Sequence, residues 1–204
     1  MAHYRRTVGA ATLLNTAISV GEGCAAFYSG SLSVLVDSVH NLSDELALVC
    51  LYLAFFLPGY LGQQSQRTAN LLNSAGLIAV SVAVAWEAIQ RTLHPAPVPA
   101  MVPVIAGLAA AAANWGVASL LREPARGNAA VRLAYLHNRG DIGVSLAPVA
   151  AGMLVAMTGF SVFDPLMGLV VALWLIVSTA REFVTSRDEL LWPEEMTCGQ
   201  PHTS

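Results

Sequence analysis

His40 and Asp44, and again His137 and Asp141, stand four residues apart in stretches that are otherwise almost wholly apolar. In a helix that spacing puts both members of a pair on one face, one turn apart. Each pair therefore offers one imidazole nitrogen and one carboxylate oxygen in the same direction. Two such pairs together make an N/O donor set that a tetrahedral divalent cation accepts, zinc most readily. Carboxylates alone would suit magnesium, calcium or manganese, and thiolates copper(I) or cadmium. Two aspartates also cancel the charge of a dication. Without the ion the same atoms take up protons, most easily on the imidazoles, so metal and proton compete for them. Placing such groups in hydrocarbon costs at least ~2.5–3.5 kcal/mol for an Asp at a helix centre, which makes a binding role the natural expectation.

The elements that must position these residues are membrane helices. The 204-residue chain is 55% hydrophobic and only 11% charged, with a mean hydropathy of +0.59; soluble domains carry roughly 25% charged residues. Six stretches are long enough to cross ~30 Å of hydrocarbon at about 20 residues each: 7–28, 32–57, 70–90, 99–121, 130–157 and 161–183. Separators such as PGYLGQQSQ (58–66), HPAPVP (94–99) and REPARGN (122–128) carry Gly or Pro turn chemistry. They are short, so consecutive helices are expected to be antiparallel neighbours. The N-terminus has the basic-then-apolar order of a signal peptide, but Asn15 and Glu22 interrupt the apolar run, and it reads as the first span. The expected fold is an all-α integral membrane protein with six transmembrane helices.

All ten basic residues are Arg. With the N-terminus inside, Arg5, Arg6, Arg67, Arg122, Arg126, Arg132, Arg181 and Arg187 fall in inner segments and only Arg91 in an outer loop, which predicts cytoplasmic N- and C-termini. His40–Asp44 then lies about ten residues from the outer end of span two, and His137–Asp141 about ten from the inner end of span five, each ~15 Å deep at 1.5 Å per residue. The two ladders can face each other at one depth. A net charge of −3 leaves no basic surface for nucleic acid, and the separated Cys24, Cys50 and Cys198 form no metal or disulfide framework.

Other polar residues in the spans have bland and functional readings. Asp37, three residues before His40, could accept a hydrogen bond near the site, carry a proton towards the exit, or mark the wet mouth of the span. Arg139 falls on a different face from His137 and needs a partner or water at that depth; Asp37, Glu45 or another subunit could supply the partner, and with Asp37 it is a candidate for the surroundings or pathway of the ion. Asn15, Glu22, Asn73, Glu87 and Asn114 read as interhelical anchors. Asn70 reads as a solvated helix end, and Glu194, Glu195, Cys198 and His202 as part of a polar tail. Two non-transport alternatives exist: a redox subunit with His40 and His137 as axial ligands of a haem between helices 2 and 5, and a membrane-embedded zinc hydrolase. Aspartates one turn from each His argue against haem, and no GxSxG or HExxH motif supports a hydrolase.

The stretch SGSLSVLVDSVHNLSDELAL (29–48) resembles the second transmembrane segment of the cation diffusion facilitator family, with its Gly-Ser entry and Asp-x-x-His-x-x-x-Asp core. LAYLHNRGDIGVSLAPV (133–149) is similar to that family's fifth segment, WEAIQRTLHPAPV (86–98) to the end of its third, and FDPLMGLVVALWLI (163–176) to the start of its sixth. The resemblance runs from about residue 5 to 187. It implies a six-helix, usually dimeric exporter of zinc or a similar ion, working by proton exchange in a cytoplasmic (inner) membrane of bacterial type, with His40, Asp44, His137 and Asp141 as the metal site. His rather than Asp at the head of both motifs resembles the zinc-preferring members; cobalt, iron(II) and cadmium also fit the donors. The family usually continues into a cytoplasmic domain after the sixth helix. Here the expectation is a six-helix cation-efflux domain over 1–187 and a short polar tail over 188–204. REPARGN holds no histidine where a His-rich loop would stand, and the basic-rich approach to the third helix is reduced to QQSQRTANLL.

Overall fold

A computed structural model describes residues 2–54, 59–127 and 129–185. The tail from 186 onward, including Trp192, Glu194, Glu195, Cys198 and His202, lies outside the described residues, as do the side chains of Cys50, Asn70 and Asn73. Within the described residues the regular structure is entirely helical: α1 (Ala2–Ser29), α2 (Leu32–Ala54), α3 (Gly59–Leu93), α4 (Met101–Leu121), α5 (Ala129–Val144), α6 (Leu146–Thr158) and α7 (Phe163–Thr185). Among the described residues, four stretches are long and apolar enough to cross a membrane: Ser74–Leu93, Met101–Leu121, Ala134–Thr158 and Phe163–Arg181.

What faces outward and inward is inverted relative to a water-soluble protein. Phe27, Leu13, Trp86, Trp115 and Ile105 are exposed, whereas Asn15, Glu22, Asp37, Asn41, Asn114 and Asp141 are buried. Hydrocarbon solvates the first group and not the second, so the polar side chains turn inward to find partners. This is an integral membrane protein.

Helix α2 is the axis of the bundle. It packs on α1, α3 and α7, with lesser contacts to α4, α5 and α6. One apolar cluster (Val8, Ala11, Leu48, Val117, Leu121, Ala125, Val131) ties its end to α1, α4 and the start of α5. Another (Leu32, Val36, Val84, Ala85, Ala88, Val171, Ala172, Leu175) ties its beginning to α3 and α7. His40 and Asp44 fall between the two.

Two boundaries differ from expectation. The 58–66 segment is not a loop throughout: α3 starts at Gly59 and runs 35 residues. Gly59 and Gly62 are only weak helix breakers, no proline follows Pro58 within the helix, and Gln, Arg, Ala and Leu propagate a helix well. Its first turns therefore form a polar extension of the apolar stretch that begins at Ser74. The fifth span is broken into α5 and α6 at Ser145. Pro148 lacks the N–H that would bond the Val144 carbonyl and its ring crowds that carbonyl, which interrupts a helix at this place.

Small residues set the depth of packing around that break. A Cβ on Gly107 would meet the Ser145 carbonyl oxygen at 2.6 Å, and one on Gly152 would collide with the Ala100 carbonyl. The two glycines let α4 and α6 approach backbone to backbone, as small residues do between membrane helices. At the other end, Gly30 (φ +65°) makes the α1–α2 turn in a left-handed conformation that favours glycine. Arg91, the basic residue of the expected outer loops, donates to the Gly30 carbonyl at 2.6 Å and pairs with Glu87 at 2.9 Å.

Candidate metal centre

Helices α2 and α5 bring the two HxxxD ladders together. One donor atom from each of His40, Asp44, His137 and Asp141 lies within 4.8 Å of all the others. The pairing crosses between helices: His40 Nε2 is 3.1 Å from Asp141 Oδ1, and His137 Nε2 is 2.6 Å from Asp44 Oδ1. Within each ladder the separations are longer, 3.7 Å for His40 Nε2–Asp44 Oδ2 and 3.8 Å for His137 Nε2–Asp141 Oδ2. Metal–ligand bonds of 2.0–2.2 Å to a tetrahedral zinc imply donor separations of about 3.3 Å. The four nitrogen–oxygen separations bracket that value.

The burial of the four is uneven. Side chains of His40, Asp44 and Asp141 are 4%, 7% and 4% exposed, and that of His137 is 48% exposed. The centre therefore opens on the His137 side. Its hydrogen-bond accounting is incomplete: Asp44 Oδ2, Asp141 Oδ2 and His40 Nδ1 are buried and have no partner among the described residues. An unmatched carboxylate oxygen in a low-dielectric interior is costly, and a cation satisfies it. The imidazoles of His40 and His137 stand edge to face with centroids 5.8 Å apart, and the Trp174 indole lies edge-on to His40 at 6.3 Å. Carboxylate oxygens lie directly against both Nε2 atoms, where an axially bound haem iron would have to be, so the haem reading is not favoured.

Asp37 is not at a wet mouth. It is 1% exposed and accepts a hydrogen bond from Ser145 Oγ at 3.2 Å, at the break between α5 and α6. Arg139 reaches neither of the carboxylates considered for it. It is exposed, its guanidinium lies 3.4 Å from the Tyr135 hydroxyl and 5.9 Å from that ring's centre, and Glu45 instead accepts from Thr16 at 2.5 Å. Two residues on from His137 is about 200° around the helix, which turns Arg139 away from the centre. Asn15 donates to the Asn41 carbonyl at 3.1 Å, linking α1 to α2.

The sequence alone did not single out Asp164. This residue of α7 is 1% exposed and accepts from Ser31 Oγ (2.5 Å), Ser33 Oγ (2.6 Å) and the Leu32 N–H (2.7 Å). It caps the start of α2 from another helix, satisfying an N–H that has no partner inside α2. A carboxylate there also complements the positive end of the helix dipole. The available signal was an Asp at the head of an apolar span, with serines 31 and 33 far away in sequence.

The family profile of the cation efflux transmembrane domain matches residues 8–61 and 62–191. The chain belongs to that family. Among cation efflux relatives, the zinc transporter ZitB of Escherichia coli (strain K12) is 31% identical over 183 residues, 83% of this chain and 57% of the relative. The cadmium, cobalt and zinc/H(+)-K(+) antiporter of Bacillus subtilis (strain 168) is 28% identical over 178 residues, 81% of this chain and 57% of that protein. The probable cation efflux system protein MT2084 of Mycobacterium tuberculosis (strain CDC 1551 / Oshkosh) is 33% identical over 172 residues, 78% and 52% of the two chains. The chain thus spans little more than half the length of these relatives. Its apolar helices and bacterial relatives are those of an integral inner-membrane protein.

Proposed function

We propose that this chain exports a divalent cation, zinc first, from the cytoplasm in exchange for protons, with His40, Asp44, His137 and Asp141 as the ligands. It does so as six membrane crossings with both termini cytoplasmic, α5 and α6 forming one kinked crossing, in a homodimer. The cation-efflux domain occupies 1–187 and the polar tail 188–204. The observation that carries the reading is the convergence of four N and O donors within 4.8 Å, from two helices, in an otherwise apolar bundle. The printed names of the relatives, a zinc transporter and a cadmium, cobalt and zinc antiporter, support the cargo class; cobalt, cadmium and iron(II) fit the same donors.

The cross-helix pairs supply the exchange. An ionised carboxylate only accepts, so each His Nε2 held against an Asp oxygen carries a hydrogen. Where the imidazole is protonated on both nitrogens, a cation taking Nε2 releases that hydrogen as a proton, and return of protons displaces the metal. No described residue buttresses His40 Nδ1, whereas histidines that hold a resident metal firmly donate from their other nitrogen to a carboxylate or carbonyl. A loosely braced ligand suits an ion that has to leave again. The half-exposed His137 is the way in.

Proteoliposomes containing Asp44→Ala or Asp141→Ala should show no zinc-dependent flux above protein-free vesicles, with yield and helicity near those of the parent. Full flux in either variant overturns the ligand assignment.

A further inference from the structure

A second set of buried polar side chains closes into a ring beside the metal centre. Glu22 of α1, Asp37 and Asn41 of α2, Asn114 of α4 and Ser145 at the α5–α6 break are each no more than 1% exposed. Asn41 Nδ2 donates to Glu22 Oε2 at 2.5 Å. Asn114 Nδ2 lies 3.4 Å from Asn41 Oδ1 and 3.2 Å from Ser145 Oγ. Ser145 Oγ donates to Asp37 Oδ1 at 3.2 Å, and Asp37 and Asn41, four residues apart on one face of α2, set the Asp37 carboxyl beside the Glu22 carboxyl that Asn41 holds.

Every donor in the ring is directed at another atom than the two carboxyl oxygens left over. Glu22 Oε1 and Asp37 Oδ2 are buried and have no hydrogen-bond donor among the described residues. A carboxylate has only acceptor oxygens, so two of them facing each other lack the hydrogen that would join them. Their charges also repel strongly in a low-dielectric interior. One hydrogen between the two oxygens satisfies both and leaves the pair with a single negative charge. We propose that Glu22 and Asp37 share one exchangeable proton, at a site separate from the four metal ligands, and that this proton leaves when the cation occupies the neighbouring centre.

The coupling is built into the chain. Asn41 follows His40 directly, and the Ser145 N–H bonds the Asp141 carbonyl at 2.9 Å, so each end of the ring is anchored next to a ligand. Among titratable groups, Glu22 and Asp37 face each other across α1 and α2; His40 follows on α2, and Asp141 faces from α5. On α4 the ring meets the neutral Asn114, and Glu45, further along α2, is held by Thr16. A dication at the centre would therefore act on this proton with little between them to screen it.

The inference rests on the exporter reading, and its test separates the two. The full chain in lipid nanodiscs is compared by infrared spectroscopy without and with zinc, in H2O and D2O. A carboxylic C=O band that shifts in D2O and disappears on adding zinc is expected. The band should be missing in Glu22→Gln and in Asp37→Asn, either of which serves if the other misfolds. Zinc affinity of Glu22→Gln should stay within about threefold of the parent by calorimetry, while its proton counter-flux per zinc falls by a single proton. A band that persists in these variants, or an unchanged counter-flux, overturns the shared proton. Retained zinc binding in Asp44→Ala would instead overturn the ligand reading and leave the band intact.

Discussion

Asp164 and Asp44 are the same residue type at nearly the same burial, 1% and 6% exposed, yet they are solvated in opposite ways. Asp164 receives three hydrogen bonds between its two oxygens, two from serine hydroxyls and one from a backbone N–H. Among the described residues Asp44 has one such contact, with the His137 imidazole, and its other oxygen has none; Asp141 repeats the pattern with His40. A fully satisfied carboxylate is a fastening, because any movement breaks bonds that water cannot replace in a membrane. A half-satisfied one is poised for a ligand that brings positive charge. What separates structure from chemistry here is the count of donors around each acid rather than its depth.

The contrast is broken most sharply by exchanging the losses. Asp164→Ala removes three buried hydrogen bonds to a carboxylate and frees the start of α2, which should cost about 2–4 kcal/mol after relaxation. Zinc affinity of the molecules that remain folded should change by less than about threefold. Asp44→Ala should do the reverse, abolishing zinc binding while the melting temperature stays within about 3 °C. Thermal melting and calorimetry on the same detergent-solubilised samples read both quantities. If Asp164→Ala loses metal binding without losing stability, the two acids do not differ in kind.

A smaller effect sharpens the comparison within the centre itself. His40 is buried and His137 half-exposed, so the two imidazoles should not be equivalent. Alanine at either position removes a nitrogen donor and should weaken zinc by at least ~10-fold. His137→Ala leaves an opening that water can fill as a fourth ligand. His40→Ala leaves a cavity in a buried wall and strands Asp141 Oδ1, so it should be the weaker binder. Equal affinities for the two variants would mean that the centre has no preferred open side.

The two halves of the comparison were not equally legible. A four-residue spacing is a statement about one helix face, so the His–Asp ladders could be read from short windows, and equal depth on antiparallel spans made their meeting a geometric consequence. The Asp164 clamp joins residues 31–33 to 164, and nothing local predicts which buried acid will find donors more than a hundred positions away. Span five reads as one continuous apolar stretch, and although Pro148 is the local cause of its break, the result, a Ser145 hydroxyl placed between Asn114 and Asp37, depends on how closely Gly107 and Gly152 let α4 approach. The early start of α3 was hidden by glycines that read as turn residues and that a neighbouring run of good helix formers overrode.

Arg139 marks the bottom of the scale. As a cation among apolar residues it calls for a partner or water, with Asp37, Glu45 or a second subunit as the candidates. Its position about 200° from His137 instead sends it out of the bundle, where its long stem carries the guanidinium to the Tyr135 ring and hydroxyl. An exposed cation–π contact of this kind is worth about 0.5–1 kcal/mol. Arg139→Gln should accordingly lower stability by no more than about that amount and leave zinc affinity and flux within about twofold. Should flux fall by tenfold or more with stability unchanged, the outward face of α5 carries part of the transport path, most simply as a contact between two copies of the chain.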